Sequence, residues 1–217
     1  MDPALLAELH PRLFHMAAAR AWPQIARHGL LSTAAILDLA GVDGDRREAL
    51  EAQRRPDSVT VQTPAGDTFV LRDQKPLHPA KLSACLTDMT LPEWLRLLNS
   101  KVFFWPSRRR CEHLLGAKAY RDRPHTIIEV DTAALLDRYA ERVTVSRINA
   151  GAVLYNPPPR GSRTFLPIAD VPFDQWRQKR SRRRAIAEVA VEYAVPDVEA
   201  VTVAVWQAAD GKEWRHA

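Results

Sequence analysis

RRRAIAEVAVEYAVPDVEAVTVAV, residues 182–205, reads as a basic run, a strand, a short turn around Pro196 and a second strand. Side chains alternate along a strand, so Ala187, Val189, Val191 and Tyr193 share one face and Ile186, Glu188, Ala190 and Glu192 the other. Glu188 is therefore framed by small and apolar residues. Such a carboxylate either points into water from an edge strand or is held in a cleft where its charge takes part in chemistry.

Outward from this stretch, short elements alternate with no repeat or low-complexity tract. Residues 13–16 (LFHM) predict a strand. Residues 22–28 predict a helix stopped by Gly29, and residues 34–40 a second, capped by Ser32 or Thr33 and stopped by Gly41. The charged stretch 43–55 predicts a solvent-facing helix, and SVTVQT and TFVLRD flank PAGD as a hairpin. Thr90-Leu-Pro-Glu93 is a capping box that starts a helix through Leu98. Strands are expected at 101–105, 125–131 and 143–147, helices at 107–117 and 132–139, and a proline-rich loop at 148–162. Many short strands irregularly interspersed with helices give an α+β class rather than regular βαβ alternation.

Composition narrows the function. The 217 residues suffice for one domain with a real core, 46% hydrophobic and 26% charged. No apolar run approaches the roughly 18 residues that span a bilayer, and the N-terminus lacks a basic-then-apolar leader. The cysteines, Cys85 and Cys111, define no disulfide framework, so a reduced, cytoplasmic setting is the expectation. The net charge of +5 is concentrated in Arg108–Arg110 and in a cluster that includes Arg182, Arg183 and Arg184. Such clusters either contact a polyanion or form solvated surface. The phosphate loop GxxxxGK, the dinucleotide turn GxGxxG, HExxH and GxSxG are all absent, and no histidine pair has metal-ligand spacing. No metal site is expected.

Four features remain: Phe14-His15-Met16 in an apolar strand, Arg72 at a strand end, VFFW running into a helix, and Glu188. Each has an ordinary structural explanation, as a core histidine, an exposed arginine paired with Asp73, core aromatics and a solvated glutamate. Their order is more informative. A strand bearing Phe14-His15, a helix leading into Gly29-Leu30-Leu31-Ser32, a central Phe103-Phe104-Trp105 strand and a late Ala187-Glu188-Val189 strand followed by Val195-Pro196 resemble the ADP-ribosyltransferase fold. The likeness is to DarT-like DNA ADP-ribosyltransferases and, more distantly, to RNA 2′-phosphotransferases. It spans residues 13–205, with elaborations at 43–67 and 148–162 on a single domain covering 1–217.

The resemblance implies a split central β-sheet with flanking helices and NAD as substrate. It implies Glu188 as the catalytic carboxylate, since cleavage of the nicotinamide–ribose bond passes through an oxocarbenium-like state that a negative charge stabilises. His15 would bind the adenosine ribose, Gly29 and Leu30 would allow close backbone approach, and Ser32 would face the nicotinamide side. Arg72 would hold the pyrophosphate through its planar fork, with Arg46 or Arg54 as alternatives. Phe104 or Trp105 would stack on the nicotinamide. Arg108, Arg109, Arg110, Arg182, Arg183 and Arg184 would track nucleic-acid phosphates. The implied protein is a bacterial, monomeric, toxin-like mono-ADP-ribosyltransferase acting on a base in DNA, with a neutralising antitoxin or hydrolase as a further partner. The same fold modifying a protein or small molecule, or binding nucleic acid without catalysis, is the alternative.

Overall fold

The computed structural model describes residues 1–153, 156–178, 180–209 and 213–216. Its strands are β1 (Arg12–Ala18), β2 (Leu30–Leu31), β3 (Val59–Gln62), β4 (Thr68–Leu71), β5 (Lys101–Phe104), β6 (His125–Asp131), β7 (Val143–Ser146), β8 (Phe165–Pro167), β9 (Glu188–Glu192), β10 (Ala194–Val195), β11 (Thr202–Ala209) and β12 (Glu213–His216). They form one four-stranded sheet ordered β1-β6-β11-β12 and another ordered β5-β9-β7-β8, every pairing antiparallel. Two ribbons, β2–β10 and β3–β4, complete the strand pairing.

Among the described residues a single isolated β-bridge joins the two larger sheets. Phe14 and Trp105 exchange both backbone hydrogen bonds, at 3.0 and 2.8 Å. Past this point β1 and β5 diverge. The main core fills the space between the sheets, with Leu13, Ile128 and Val130 from one and Val102, Phe104, Val189 and Val191 from the other. Helix Thr132–Tyr139 closes it by burying Leu135, Leu136 and Tyr139, which recur at helical spacing. The class is α+β with several small sheets.

Local signals act as their chemistry dictates. Ser32 caps helix Thr33–Leu39 by accepting from the Ala35 amide, and Thr90 with Glu93 forms the capping box of helix Leu91–Asn99. The PAGD hairpin is β3–β4. Elements whose signals are weaker also form: helices Pro3–Leu9, Pro79–Ser83 and Phe173–Arg177, and β8.

The stretch 182–205 departs from its expected form. Arg182–Arg184 is a 3-10 turn, and between β9 and β11 lie β10 and the one-turn helix Val198–Val201. The alternation ends at Tyr193, whose φ of 66° turns the chain and leaves its side chain exposed. β9 is no edge strand: it runs between β5 and β7, with Glu188, Val189, Ala190 and Val191 all buried. The solvated reading of Glu188 is thereby overturned. Of the 148–162 loop, residues 154 and 155 lie outside the described residues.

Candidate functional site

A cleft of about 1320 Å³ opens where the sheets part, larger than the about 300–1,000 Å³ usual for drug-sized ligands. Nine arginine and lysine side chains line it among the described residues, against two carboxylates, Asp73 and Glu188. That imbalance favours an anionic ligand.

Glu188 occupies the point where β5 leaves β9. The β5–β9 register pairs Phe104 with Val189; carried on by one residue, it sets Trp105 opposite Glu188. On its other side Glu188 pairs with Ser146. The Ala150 amide donates to Glu188 Oε2 at 3.0 Å. The Ala150 carbonyl in turn accepts from Arg160 Nη1 at 2.9 Å, and the Ala152 carbonyl from the same nitrogen at 3.3 Å. Burial pushes the Glu188 carboxyl up to about 7, while the Ala150 hydrogen bond and the charges of Arg160 and Arg110 pull it down. Glu188 can thus change charge near neutrality, a property suited to acid–base or electrostatic chemistry. Glu192, on the same strand face, is instead paired with the buried Lys101 ammonium.

His15 stands on β1 beside the split. A carbonyl only accepts, so the 2.8 Å contact between His15 Nδ1 and Phe103 O fixes the hydrogen on Nδ1 and leaves Nε2 an acceptor. Burial draws the imidazole down to about 4, aided by Arg72 and opposed by the Phe103 bond, so the ring is neutral at pH 7. Ser32 Oγ accepts from the Ala35 amide at 3.1 Å, which leaves its hydroxyl hydrogen to donate elsewhere. His15, Gly29, Leu30, Ser32, Arg72, Trp105 and Glu188 all line the cleft. Gly29 has an additional reason for its identity. With φ of 82°, an added Cβ would lie 2.6 Å from Pro196 Cα, so the close approach it permits is to its own chain.

Arg72 is neither exposed nor paired with Asp73. Its Nη1 donates to the Met16 carbonyl at 3.0 Å, and its Cζ lies 5.0 Å from the Tyr120 ring centroid. Asp73 is taken up by Tyr120 Oη at 3.0 Å and by Arg123 at 3.9 Å. The fork of Arg72 has no carboxylate partner among the described residues. Arg54 binds the Lys75 carbonyl, whereas Arg55, which nothing in the sequence singles out, lines the cleft. It donates to the Arg72 carbonyl at 3.2 Å and to Asn99 Oδ1 at 2.9 Å, and so fixes the strand end that carries Arg72.

The aromatic assignment needs one correction. Phe103 and Trp105 line the cleft, but Phe104 is buried in the core and is not among the lining residues. The arginine clusters divide similarly. Arg109, Arg110, Arg183 and Arg184 line the cleft, and none of the four has an ion pair among the described residues. Arg108 instead bonds Glu112 at 2.8 Å and stacks 4.2 Å from the Trp214 ring, and Arg182 reaches toward Glu8 at 4.0 Å. Those two are directed away by their positions on helix Arg108–Leu115 and on the 182–184 turn.

Among the described residues no group of three or more His, Cys, Asp or Glu side chains is placed to hold a metal ion, and no helix is long and apolar enough to cross a membrane. No curated protein matches the chain. A family of unknown function, DUF7002, matches residues 11–202, which include the cleft from Pro11 to Glu188. The match spans far more than half of the sequence, and the chain belongs to the DUF7002 family.

Proposed function

We propose that the cleft binds NAD and that the protein transfers the ADP-ribosyl group to nucleic acid, with a base in DNA as the acceptor. The observation that carries this reading is the position of Glu188: a buried carboxylate at the divergence of two sheets, in a cleft also lined by His15, Ser32, Arg72 and four arginines with no ion pair among the described residues.

Each group has a role consistent with its environment. Arg72, steadied by Arg55, offers its free donors to the pyrophosphate. His15 Nε2 accepts from a ribose hydroxyl, and Ser32 donates from its hydroxyl. Phe103 and Trp105 supply aromatic surface for the nicotinamide. Ionised Glu188 stabilises positive charge growing at the ribose as the glycosidic bond lengthens, and in a site poor in water one such interaction is worth about 3–4 kcal/mol. The proximity of a cationic nicotinamide ribose favours the ionised carboxylate and offsets its desolvation.

The test is incubation with NAD labelled in the adenylate, with separate pools of single-stranded DNA, RNA and protein. NAD should raise the melting temperature by mass action while ATP does little, nicotinamide should be released, and label should appear on DNA. Label on protein alone would redirect the acceptor. An unchanged melt at millimolar NAD with no nicotinamide release would overturn the reading and leave a nucleic-acid-binding protein.

A further inference from the structure

His10 lies between helix Pro3–Leu9 and β1 and also lines the cleft. The Phe14–Trp105 bridge is antiparallel, so His10 and Pro106 lie on the opposite side of it from His15 and Phe103. His10 Nδ1 is 2.8 Å from the Pro106 carbonyl. That contact requires the hydrogen on Nδ1 and leaves Nε2 a bare lone pair. Only 4% of the residue is exposed, and Nε2 has no partner among the described residues. A buried acceptor left unpaired is costly and calls for an explanation. Burial, with Arg110 and Arg183 nearby, lowers the ring from the ordinary histidine value, against the opposing effect of the Pro106 bond.

We infer that His10 Nε2 takes the proton of the acceptor nucleophile, a nucleobase N–H whose strand is held through its phosphates by Arg110 and Arg183. This role rests on the NAD reading above. The bond between ribose C1′ and the nicotinamide nitrogen breaks with its electron pair going to nitrogen. The nucleobase nitrogen forms the new bond to C1′, and its hydrogen passes to Nε2 as a proton, giving an imidazolium. The Nδ1–H bond to Pro106 keeps the ring aligned throughout, and the proton passes to water after product leaves. Glu188 is poorly suited to this step, because accepting the proton would remove the charge that stabilises the ribosyl cation.

His10→Asn separates the roles, since the asparagine Nδ2 can keep the hydrogen bond to Pro106 while the Nε2 acceptor is lost. His10→Gln is made alongside it, so that the outcome does not depend on one variant folding. Parent and variants are given NAD with random-sequence single-stranded DNA or RNA, and transfer, nicotinamide release and melting temperature are measured. The expected result is a fall in transfer of about 10²–10⁴, the usual contribution of a general base, with NAD binding retained. Transfer within tenfold of the parent in a folded variant would make His10 structural and overturn the role. Nicotinamide release by the parent without label on either nucleic acid would overturn it as well. Absence of NAD binding and of release in the parent would instead sink the underlying NAD reading, a failure these measurements distinguish.

Discussion

The Ala150 amide donates to Glu188 Oε2 at 3.0 Å from a segment 38 residues earlier in the chain. A residue of the proline-rich 148–162 region thereby fixes the carboxylate, with only 4% of Glu188 exposed. The site combines β9 and this loop; burial pushes the carboxyl up to about 7, against the opposing pull of the Ala150 hydrogen bond and the Arg160 charge that the loop supplies.

Glu188→Gln should produce two separable effects. Turnover should fall by about 10²–10³, the usual loss when one electrostatic stabiliser of a transition state is removed. Stability should respond in the opposite direction as pH rises. The carboxyl keeps its proton to about 7 when folded and loses it near 4.5 when unfolded, so the folded state binds more protons between those values. The contribution of Glu188 to parent stability therefore declines across pH 4.5–7, whereas the glutamine has no proton to lose. The stability of the variant relative to parent should grow by about 3 kcal/mol over that interval. Denaturant melts at pH 4.5 and 8 measure it, and an equal difference at both would mean that Glu188 titrates normally.

Arg160→Gln should act on Glu188 through the loop. Arg160 is 2% exposed, and its Nη1 holds the Ala150 and Ala152 carbonyls. Its charge also lowers the Glu188 carboxyl against the larger effect of burial. Loss of the guanidinium should move the acidic limb of the pH–rate profile for nicotinamide release to higher pH. A profile that falls in amplitude with its midpoint unchanged would make Arg160 a structural clamp alone.

Local features of this fold were legible because their causes are local. Gly29 and Gly41 end helices, the Thr90–Glu93 box starts one, and PAGD turns a hairpin. The period-two pattern also set Glu188 and Val189 on opposite faces. What covers each face is non-local: helix Leu91–Asn99 and residues 149–153 bury the Glu188 side of β9, and no periodicity in residues 182–205 encodes that. Phe104 and Trp105 were equally plausible at the cleft until the Phe14–Trp105 bridge fixed the phase of β5. Arg55 looks like any surface arginine in QRRPDS; its meaning lies in Asn99 and the Arg72 carbonyl, both distant in the chain.

Arg72→Lys should weaken NAD binding about 10–100-fold, as expected when a charge-assisted hydrogen bond worth about 1.5–3 kcal/mol is lost. A lysine keeps the charge but cannot both bond the Met16 carbonyl and present a planar fork. Calorimetric titration measures the effect. An affinity equal to that of the parent would move the pyrophosphate to another arginine.

Gly29→Ala should destabilise the protein without any ligand present. Left-handed backbone in a non-glycine residue costs about 1–2 kcal/mol, and overpacking against Pro196 adds about 1–3. At about 2–4 °C per kcal/mol for a chain of this size, the melting temperature should drop by roughly 10 °C. A drop of under 2 °C would show that β2 and the Pro196 turn separate easily.

The arginines offer the sharpest discrimination, because the structure divides two sequence clusters that looked uniform. Arg183 and Arg184 line the cleft unpaired, whereas Arg182 in the same run lies toward Glu8. If the first two contact phosphates, each releases counterions, and the slope of log K against log salt should flatten by about 0.7 per arginine removed for single strands and about 0.9 for duplex. Arg183→Ala with Arg184→Ala should therefore flatten the single-strand slope by about 1.4, while Arg182→Ala leaves it nearly unchanged. Fluorescence anisotropy of a labelled oligonucleotide from 50 to 200 mM salt measures both. Equal slopes for the double variant and Arg182→Ala would place the strand outside the cleft, on surface that the whole 182–184 turn shares, and would separate the nucleic-acid contact from Glu188.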